Sequence, residues 1–187
     1  CMTKLSVNLN KVALLRNQRD VGYPDVIEAG KAVLEAGAHG ITVHPRPDER
    51  HIKRSDVVAL SQFIKDWQNG SIELNIEGYP DSQFLDLVTE NHCHQVTLVP
   101  DTPDQLTSDH GWNVEKDFDY LKNVVSRLQK QNRRVSIFLD PVPELIKHIS
   151  HLKAERIELC TGPYAQKTAS LKSYIAVSDT HLRAHET

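Results

Sequence analysis

The stretch Gly40-Ile41-Thr42-Val43-His44 (GITVH, residues 40–44) decides the fold, because it is a short apolar run of β-branched residues between two helical segments. The helix before it is predicted over Asp25–Ala36 and ends at Gly37. The helix after it is predicted to begin with Ser55 as its cap and to run through Trp67. A strand between two helices predicts parallel pairing with the next strand, since each crossover needs a helix to return the chain.

The same strand–helix unit is predicted six times along the chain. The other strands are predicted at Lys4–Asn8, Ile72–Glu77, Gln95–Val99, Arg134–Leu139 and Arg156–Leu159. The other helices are predicted at Ser82–Glu90, Val114–Gln131 and Pro143–Ser150, with a last one starting near Thr168. This α/β alternation fits either a doubly wound open sheet or a (β/α)8 TIM barrel. Polar residues within or at the C-terminal ends of successive strands favour the barrel, whose strand ends meet at one mouth: Asn8, His44, Glu77, Thr97 and Glu158.

Chain length and the C-terminal residues bear on how much of the barrel is present. The chain has 187 residues, whereas a complete (β/α)8 barrel takes about 250. We therefore predict a single barrel domain over residues 2–176 that is truncated after about six units. Residues 177–187 (VSDTHLRAHET) lack periodicity and are interpreted as a non-native or disordered tail. Because an open barrel leaves strands without closing neighbours, the 187-residue chain by itself is expected to fold poorly and to be inactive.

Composition and missing motifs argue against several classes of function. Lys and Arg (22) are outnumbered by Asp and Glu (25), which gives no support for nucleic-acid binding. No apolar run approaches the roughly 18 residues of a membrane span, and three widely spaced cysteines indicate a reducing cytoplasm. No dinucleotide, ATP or serine-hydrolase motif occurs. His92-Cys93-His94 precedes a strand and lacks a carboxylate partner at ligand spacing, so no metal site is predicted.

The segment from His44 to His51 is the densest group of residues able to do chemistry. His44 at a strand end can act as an acid or a base near neutral pH. Arg46 and Arg50 suit a two-point grip on a phosphate or carboxylate. A solvated charged loop beside a strand-terminal histidine is the alternative, and the pattern alone leaves the two interpretations about even.

Two carboxylates and two arginines are further candidates. Glu77 ends the third strand and can serve as a general base if its surroundings raise its pKa, or it can be a helix cap. Glu158 in the sixth strand is either a transition-state partner or an ion-paired structural residue. Arg16 and Arg19 follow the first strand and either hold a phosphate or are surface charges. The residues alone indicate a barrel enzyme for an anionic, phosphorylated substrate.

Seven short strings, in matching order and spacing from about Thr3 to Ala176, resemble the pyridoxine 5′-phosphate synthase family. The strings are VNLN (7–10), LRNQR (15–19), GITVHPR (40–46), RHI (50–52), NIE (75–77), LVP (98–100) and IELCTG (157–162). Members of that family are transferases that condense 1-deoxy-D-xylulose 5-phosphate with 3-amino-2-oxopropyl phosphate. They release pyridoxine 5′-phosphate, phosphate and water without a cofactor. The resemblance implies this activity in the cytoplasm, by a homo-oligomer that is commonly an octamer.

The resemblance also implies roles for individual residues. The catalytic positions are the acid–base residues His44 and Glu77 and the transition-state stabiliser Glu158. The substrate contacts are Asn8 and Arg19 for the amino ketone phosphate, and Arg46, His51 and Thr107 for the deoxyxylulose phosphate. Asn10-Lys11 stands where many members have Asp-His, so altered substrate contacts are expected there. The family's late Asn-Ala-Gly-His strand and its final phosphate-binding Gly–His pair have no counterpart in these residues.

Two other functions remain open at this point. A phosphosugar epimerase or aldolase on a similar barrel would process one phosphosugar alone, and the lack of a strand-end lysine for a Schiff base counts against the aldolase. A non-catalytic barrel remnant that keeps a phosphate grip would bind ligand without turnover.

Overall fold

Strands and helices alternate along the chain, for which a computed structural model describes residues 3–19, 21–67, 72–102, 105, 108–166, 171–172 and 174–177. The strands are β1 (Ser6–Asn8), β2 (Gly40–Val43), β3 (Glu73–Gly78), β4 (Gln95–Leu98), β5 (Arg134–Leu139) and β6 (Arg156–Leu159). The helices are α1 (Asn10–Asn17), α2 (Val26–Glu35), α3 (Arg54–Asp66), α4 (Ser82–Glu90), α5 (Phe118–Gln129), α6 (Ile146–Leu152) and α7 (Gly162–Ala165). Within these described ranges, no helix is both long and apolar enough to span a membrane.

The chain divides into two compact units, Cys1–Val96 and Thr97–Thr187. In the first unit β1 pairs in parallel with β2, and β2 pairs in parallel with β3. The start of β4 bonds to β3, since the His94 N–H donates to the Leu74 carbonyl at 2.9 Å. The strands therefore follow one another in chain order, whereas a doubly wound sheet reverses its order after the first strand.

The second unit continues the same pattern. Its strands β5 and β6 are parallel, with Ser136 opposite Arg156 and Leu139 opposite Leu159. Together the elements make six strand–helix units of the (β/α)8 type, so the predicted fold class is confirmed. Residues 178–187 lie outside the described residues, and the interpretation of the tail stays a prediction.

The core of the first unit follows from the sequence periods of its elements. Ile41 and Val43 of β2 are fully buried, as expected for a parallel strand covered on both faces. On α3 the buried residues Val57, Leu60 and Ile64 recur at helical spacing and form one apolar stripe. Each fully buried aliphatic side chain of this size contributes about 2 kcal/mol relative to an exposed one.

A ladder of side-chain hydrogen bonds links one residue from each of the first four strands. Ser6 and Thr42 share a hydrogen bond of 2.8 Å between their hydroxyls. The Asn75 amide donates to the Thr42 hydroxyl at 3.4 Å, and the Gln95 amide donates to the Asn75 carbonyl oxygen at 3.2 Å. Because Thr42, Asn75 and Gln95 are buried, these bonds replace the water that the groups lose on folding.

Two local predictions were wrong. The helix α1 (Asn10–Asn17) was not predicted, because its apolar residues form no continuous stripe and only Ala13 is buried. The cap of α3 was placed at Ser55, but the helix begins at Arg54 after Lys53. The carboxylate of Asp56 accepts from the Lys53 N–H at 2.8 Å, so an acidic side chain in the first turn satisfies the helix start.

Candidate active site

His44 and Glu77 lie side by side at the ends of two neighbouring strands. His44 follows β2 directly and Glu77 is the penultimate residue of β3. Since Val43 is opposite Ile76 in the parallel register, the next residue of each strand is brought to the same level. The His44 Nδ1 and a Glu77 carboxylate oxygen are 4.0 Å apart, and both side chains are buried. The structure thus brings the two predicted catalytic residues together, and their roles stay predictions.

The surroundings of His44 keep its imidazole neutral. Burial lowers the pKa of His44 to about 3, and the nearby charges of Arg46, His51 and Arg50 act in the same direction. At neutral pH the pair with Glu77 is therefore not an ion pair, and 4.0 Å is longer than a hydrogen bond. A neutral imidazole offers one nitrogen that can accept a proton and one that can donate.

The β2–α3 loop (residues 44–53) places cationic groups beside a second neutral imidazole. The Arg46 side chain is buried, and the His51 ring lies 6.1 Å from the His44 ring between centroids. Burial lowers the pKa of His51 to about 4, with further lowering by Arg46, Arg50 and Lys11. Positive charge that disfavours protonation of both histidines favours an anionic ligand at the same place.

Asn8 and Asn10 connect the end of β1 to the end of β2. The Asn8 side-chain oxygen accepts from the Asn10 N–H at 2.8 Å. The Asn10 side-chain oxygen in turn accepts from the His44 N–H at 2.9 Å. The Asn10 oxygen thus helps to fix the His44 backbone, and the predicted substrate contact of Asn10 stays a prediction.

An open pocket of about 440 Å³ lies between the end of α1 and the β2–α3 loop. Its lining residues are Arg16, Asn17, Gln18, Arg19, Gly22, Glu49, Arg50 and Lys53. Arg16 is bound to Asp56 at 2.6 Å and Arg50 to Asp48 at 2.7 Å. Arg19 is exposed and has no carboxylate partner among the residues that the structure describes. Of the two arginines considered for a phosphate, Arg16 therefore forms a structural ion pair with Asp56, and the role of Arg19 stays a prediction.

The second unit contains the third predicted catalytic residue. Burial raises the pKa of Glu158 in β6, while a hydrogen bond from Thr97 of β4 lowers it in part. A carboxyl group with a raised pKa can exchange a proton closer to neutral pH than an exposed one. Thr107, the remaining predicted substrate contact, lies outside the described residues.

Of the two histidines beside Cys93, His94 forms a hydrogen bond with the backbone of β3. The His94 Nδ1 accepts from the Leu74 N–H at 3.2 Å, and the His92 and His94 rings contact each other edge to face. Within the described ranges, no three His, Cys, Asp or Glu side chains are grouped so that they could hold a metal ion.

Two polar residues near strand ends received no role from the sequence. Asn17 lies in the LRNQR string and bonds to the β2–α3 loop through its side chain. Asp101 follows β4, is buried, and accepts a hydrogen bond from the Ser108 hydroxyl at 2.5 Å. The signal for Asp101 was its position just after a predicted strand, the criterion that selected His44. Nothing in the local pattern distinguishes Asn17, since the loop carbonyls that it binds are more than thirty residues away.

Parallel strands in chain order, with a histidine, a glutamate and cations at their C-terminal ends, define a protein of the (β/α)-barrel class. The family model for pyridoxal phosphate biosynthesis protein PdxJ matches residues 5–186, and the chain belongs to this family.

Curated relatives carry a more specific name. Pyridoxine 5′-phosphate synthase of Rhizobium meliloti (strain 1021) is 52% identical over 163 residues, which cover 86% of this chain and 65% of that protein. The protein of the same name from Brucella anthropi is 51% identical over 161 residues, with the same two shares. The chain thus spans 65% of the length of these relatives.

Two solved structures share the fold at low sequence identity. A flavocytochrome b2 variant with benzoylformate has a TM-score of 0.56 at 13% identity, covering 92% of this chain and 46% of its own. A mandelate oxidase variant with benzaldehyde has a TM-score of 0.52 at 10% identity, covering 86% of this chain and 52% of its own. At these identities the likeness concerns the fold alone.

Proposed function

We propose that the protein is a pyridoxine 5′-phosphate synthase, a transferase that condenses 1-deoxy-D-xylulose 5-phosphate with 3-amino-2-oxopropyl phosphate. The observation that carries the proposal is the buried pair of His44 and Glu77, 4.0 Å apart, at adjacent strand ends of a chain in this family. The reaction yields pyridoxine 5′-phosphate, phosphate and water, and we expect it to need no cofactor.

The chemistry of this reaction suits the residues at the strand ends. Joining an amine to a ketone and then losing water and phosphate requires repeated proton transfers at neighbouring atoms. His44, neutral at physiological pH, takes a proton at a ring nitrogen and returns it later. Glu77 shares this work from the adjacent strand, and Glu158 stabilises charge that develops in the transition state.

Each of the two phosphorylated substrates is assigned its own set of side chains. Asn8 and Arg19 hold the phosphate of the amino ketone, which the exposed position of the Arg19 side chain supports. Arg46 and His51 hold the deoxyxylulose phosphate together with Thr107, and Asn10 and Lys11 add further substrate contacts. Holding both substrates in one orientation supplies much of the rate acceleration in a two-substrate reaction. We further infer a cytoplasmic homo-oligomer, an octamer, which sedimentation velocity would test.

The proposal is tested with the protein as its gene encodes it, given each substrate alone and both together. We expect pyridoxine 5′-phosphate and inorganic phosphate in equal amounts only when both substrates are present. Replacing His44 by asparagine is expected to abolish this turnover while binding of the substrates persists. Conversion of a single phosphosugar would show an epimerase or aldolase, and binding without product would show a phosphate-binding module; either result overturns the proposal.

A further inference from the structure

The side chain of Asn17, the last residue of α1, is bonded to three successive carbonyl groups of the β2–α3 loop. Its Nδ2 lies 3.3 Å from the Glu49 oxygen, 3.2 Å from the Arg50 oxygen and 2.8 Å from the His51 oxygen. In extended backbone successive carbonyls alternate in direction, so three that converge on one donor mark a loop wrapped around it.

The N–H groups of the same loop have acceptors nearer in sequence. These bonds join Glu49 N–H to Arg46 O (3.0 Å), Arg50 N–H to Asp48 Oδ1 (3.2 Å), Ile52 N–H to His51 Nδ1 (2.9 Å) and Lys53 N–H to Asp56 Oδ2 (2.8 Å). Glu49 also has a left-handed φ of 53°, which is unfavourable for a residue with a side chain and persists where surrounding bonds enforce it. Asn17 therefore provides bonds from a separate helix that tie this loop down.

Arg16 fixes which way the Asn17 amide faces. Its Nε and Nη2 donate to the Asn17 side-chain oxygen at 3.1 and 2.9 Å, so the amide nitrogen must face the loop carbonyls. The same guanidinium is held by both carboxylate oxygens of Asp56, at 2.6 and 2.9 Å, and Nη2 also donates to the His51 carbonyl. The Asp56 carboxylate raises the pKa of Arg16, and both side chains are largely buried. A charge-assisted pair of this kind is a rigid support for the amide.

We propose that Asn17 is a positioning residue that holds the β2–α3 loop, and with it His51, in the geometry that binds a substrate phosphate. The inference rests on the proposed function for the role of His51. It adds that the loop is fixed through its carbonyls by a neutral amide on α1, whose orientation is set by the Arg16–Asp56 pair.

The sharpest test replaces Asn17 by aspartate, which has the same shape but no donor. A carboxylate facing three carbonyl oxygens would release the loop. The Asn17→Ala variant removes the donor without adding charge, so it separates loss of the clamp from repulsion of the substrate. Asn123→Asp makes the same chemical change at an exposed position of α5 and is the matched control.

Two measurements are made on the protein as its gene encodes it. Amide hydrogen exchange of residues 49–53 is expected to speed up at least tenfold in both Asn17 variants and to stay unchanged in the control. The KM for deoxyxylulose phosphate is expected to rise at least tenfold in both variants, with kcat within about threefold of the wild type. If Asn17 only stabilised the fold, its replacement would lower the fraction of folded protein, but it would not raise KM while leaving kcat nearly unchanged.

Each contrary result has a definite meaning. Unchanged exchange in the Asn17→Ala variant would show that the amide does not hold the loop, and the inference would fail. Faster exchange with an unchanged KM would show that the clamp exists but does not position a substrate contact, which also overturns it. Absence of turnover in the wild type would overturn the proposed function, and the exchange data alone would then decide whether Asn17 holds the loop.

Discussion

Replacing His44 by asparagine is expected to change how stability depends on pH. The folded protein keeps His44 neutral because burial and neighbouring cations lower its pKa to about 3, whereas in the unfolded chain its pKa is close to the usual value of 6.5. Between pH 6.5 and pH 3, the His44 imidazole therefore binds a proton in the unfolded state but not in the folded state. The stability contributed by the neutral imidazole is fully present above pH 6.5 and is lost as the pH falls from 6.5 toward 3.

The size of the effect follows from that window. One pH unit corresponds to about 1.4 kcal/mol for a single group once its unfolded form is fully protonated, so between pH 7 and pH 4.5 the wild type loses about 2.5 kcal/mol through His44 alone. No large discount for solvent screening applies, because the His44 side chain is buried. Asparagine cannot take up this proton, so the free energy of unfolding of the variant does not fall for this reason.

The assay is urea unfolding of the wild type and the His44→Asn variant at pH 7, 6, 5 and 4.5. Titrating carboxylates affect both proteins alike, so the difference between the two free energies of unfolding isolates His44. This difference is expected to move by about 2.5 kcal/mol in favour of the variant between pH 7 and pH 4.5. His151→Asn, at an exposed position of α6, is the control and should run parallel to the wild type. Parallel curves for the His44 variant would refute the reasoning.

Three further predictions concern the site and its support. Glu77→Gln is expected to lower kcat at least a hundredfold with little change in KM, measured by steady-state kinetics; a change confined to KM would contradict a proton-transfer role. Thr97→Val removes a hydrogen bond that lowers the pKa of Glu158, so carboxyl NMR titration should show that pKa rising further, and a fall would contradict the assignment. Gly111→Ala makes a methyl group clash with the backbone nitrogen of Asp140, just after β5, and should cost about 3 kcal/mol in urea unfolding. Gly162→Ala, whose added carbon makes an ordinary contact of 3.8 Å with the Cys160 sulfur, should cost under about 1 kcal/mol, and equal costs would show that the Gly111 contact does not matter.

The elements predicted correctly are those with a strong local period. The helix Ser82–Glu90 and the strands Arg134–Leu139 and Arg156–Leu159 were predicted with the bounds that the structure has. Their patterns are set by which residues face the core, and that information is present in a short window. The helix α1 was missed because little of it is buried, so it depends on bonds at its ends more than on an apolar stripe.

The candidate site was predictable to the extent that topology dictates it. Parallel strands bring their C-terminal ends together, which was enough to place His44 near Glu77. The bond from His44 to Asn10 and the pair of Arg16 with Asp56 join residues 34 and 40 positions apart. No local pattern encodes such partners, since polar side chains choose them only after the elements have packed. Arg16 was accordingly considered as a phosphate ligand when its charge is already used.

The side-chain ladder constrains which substitutions this sequence can accept during evolution. Each member gives a donor or an acceptor to the next, so a valine in place of Thr42 removes a hydrogen-bond partner from both Ser6 and Asn75 at once. A change at Asn75 does the same to Thr42 and Gln95. Single substitutions at these positions are therefore expected to destabilise the protein, while paired replacements that restore donor and acceptor are expected to be tolerated. The four positions Ser6, Thr42, Asn75 and Gln95 are therefore expected to covary among related sequences.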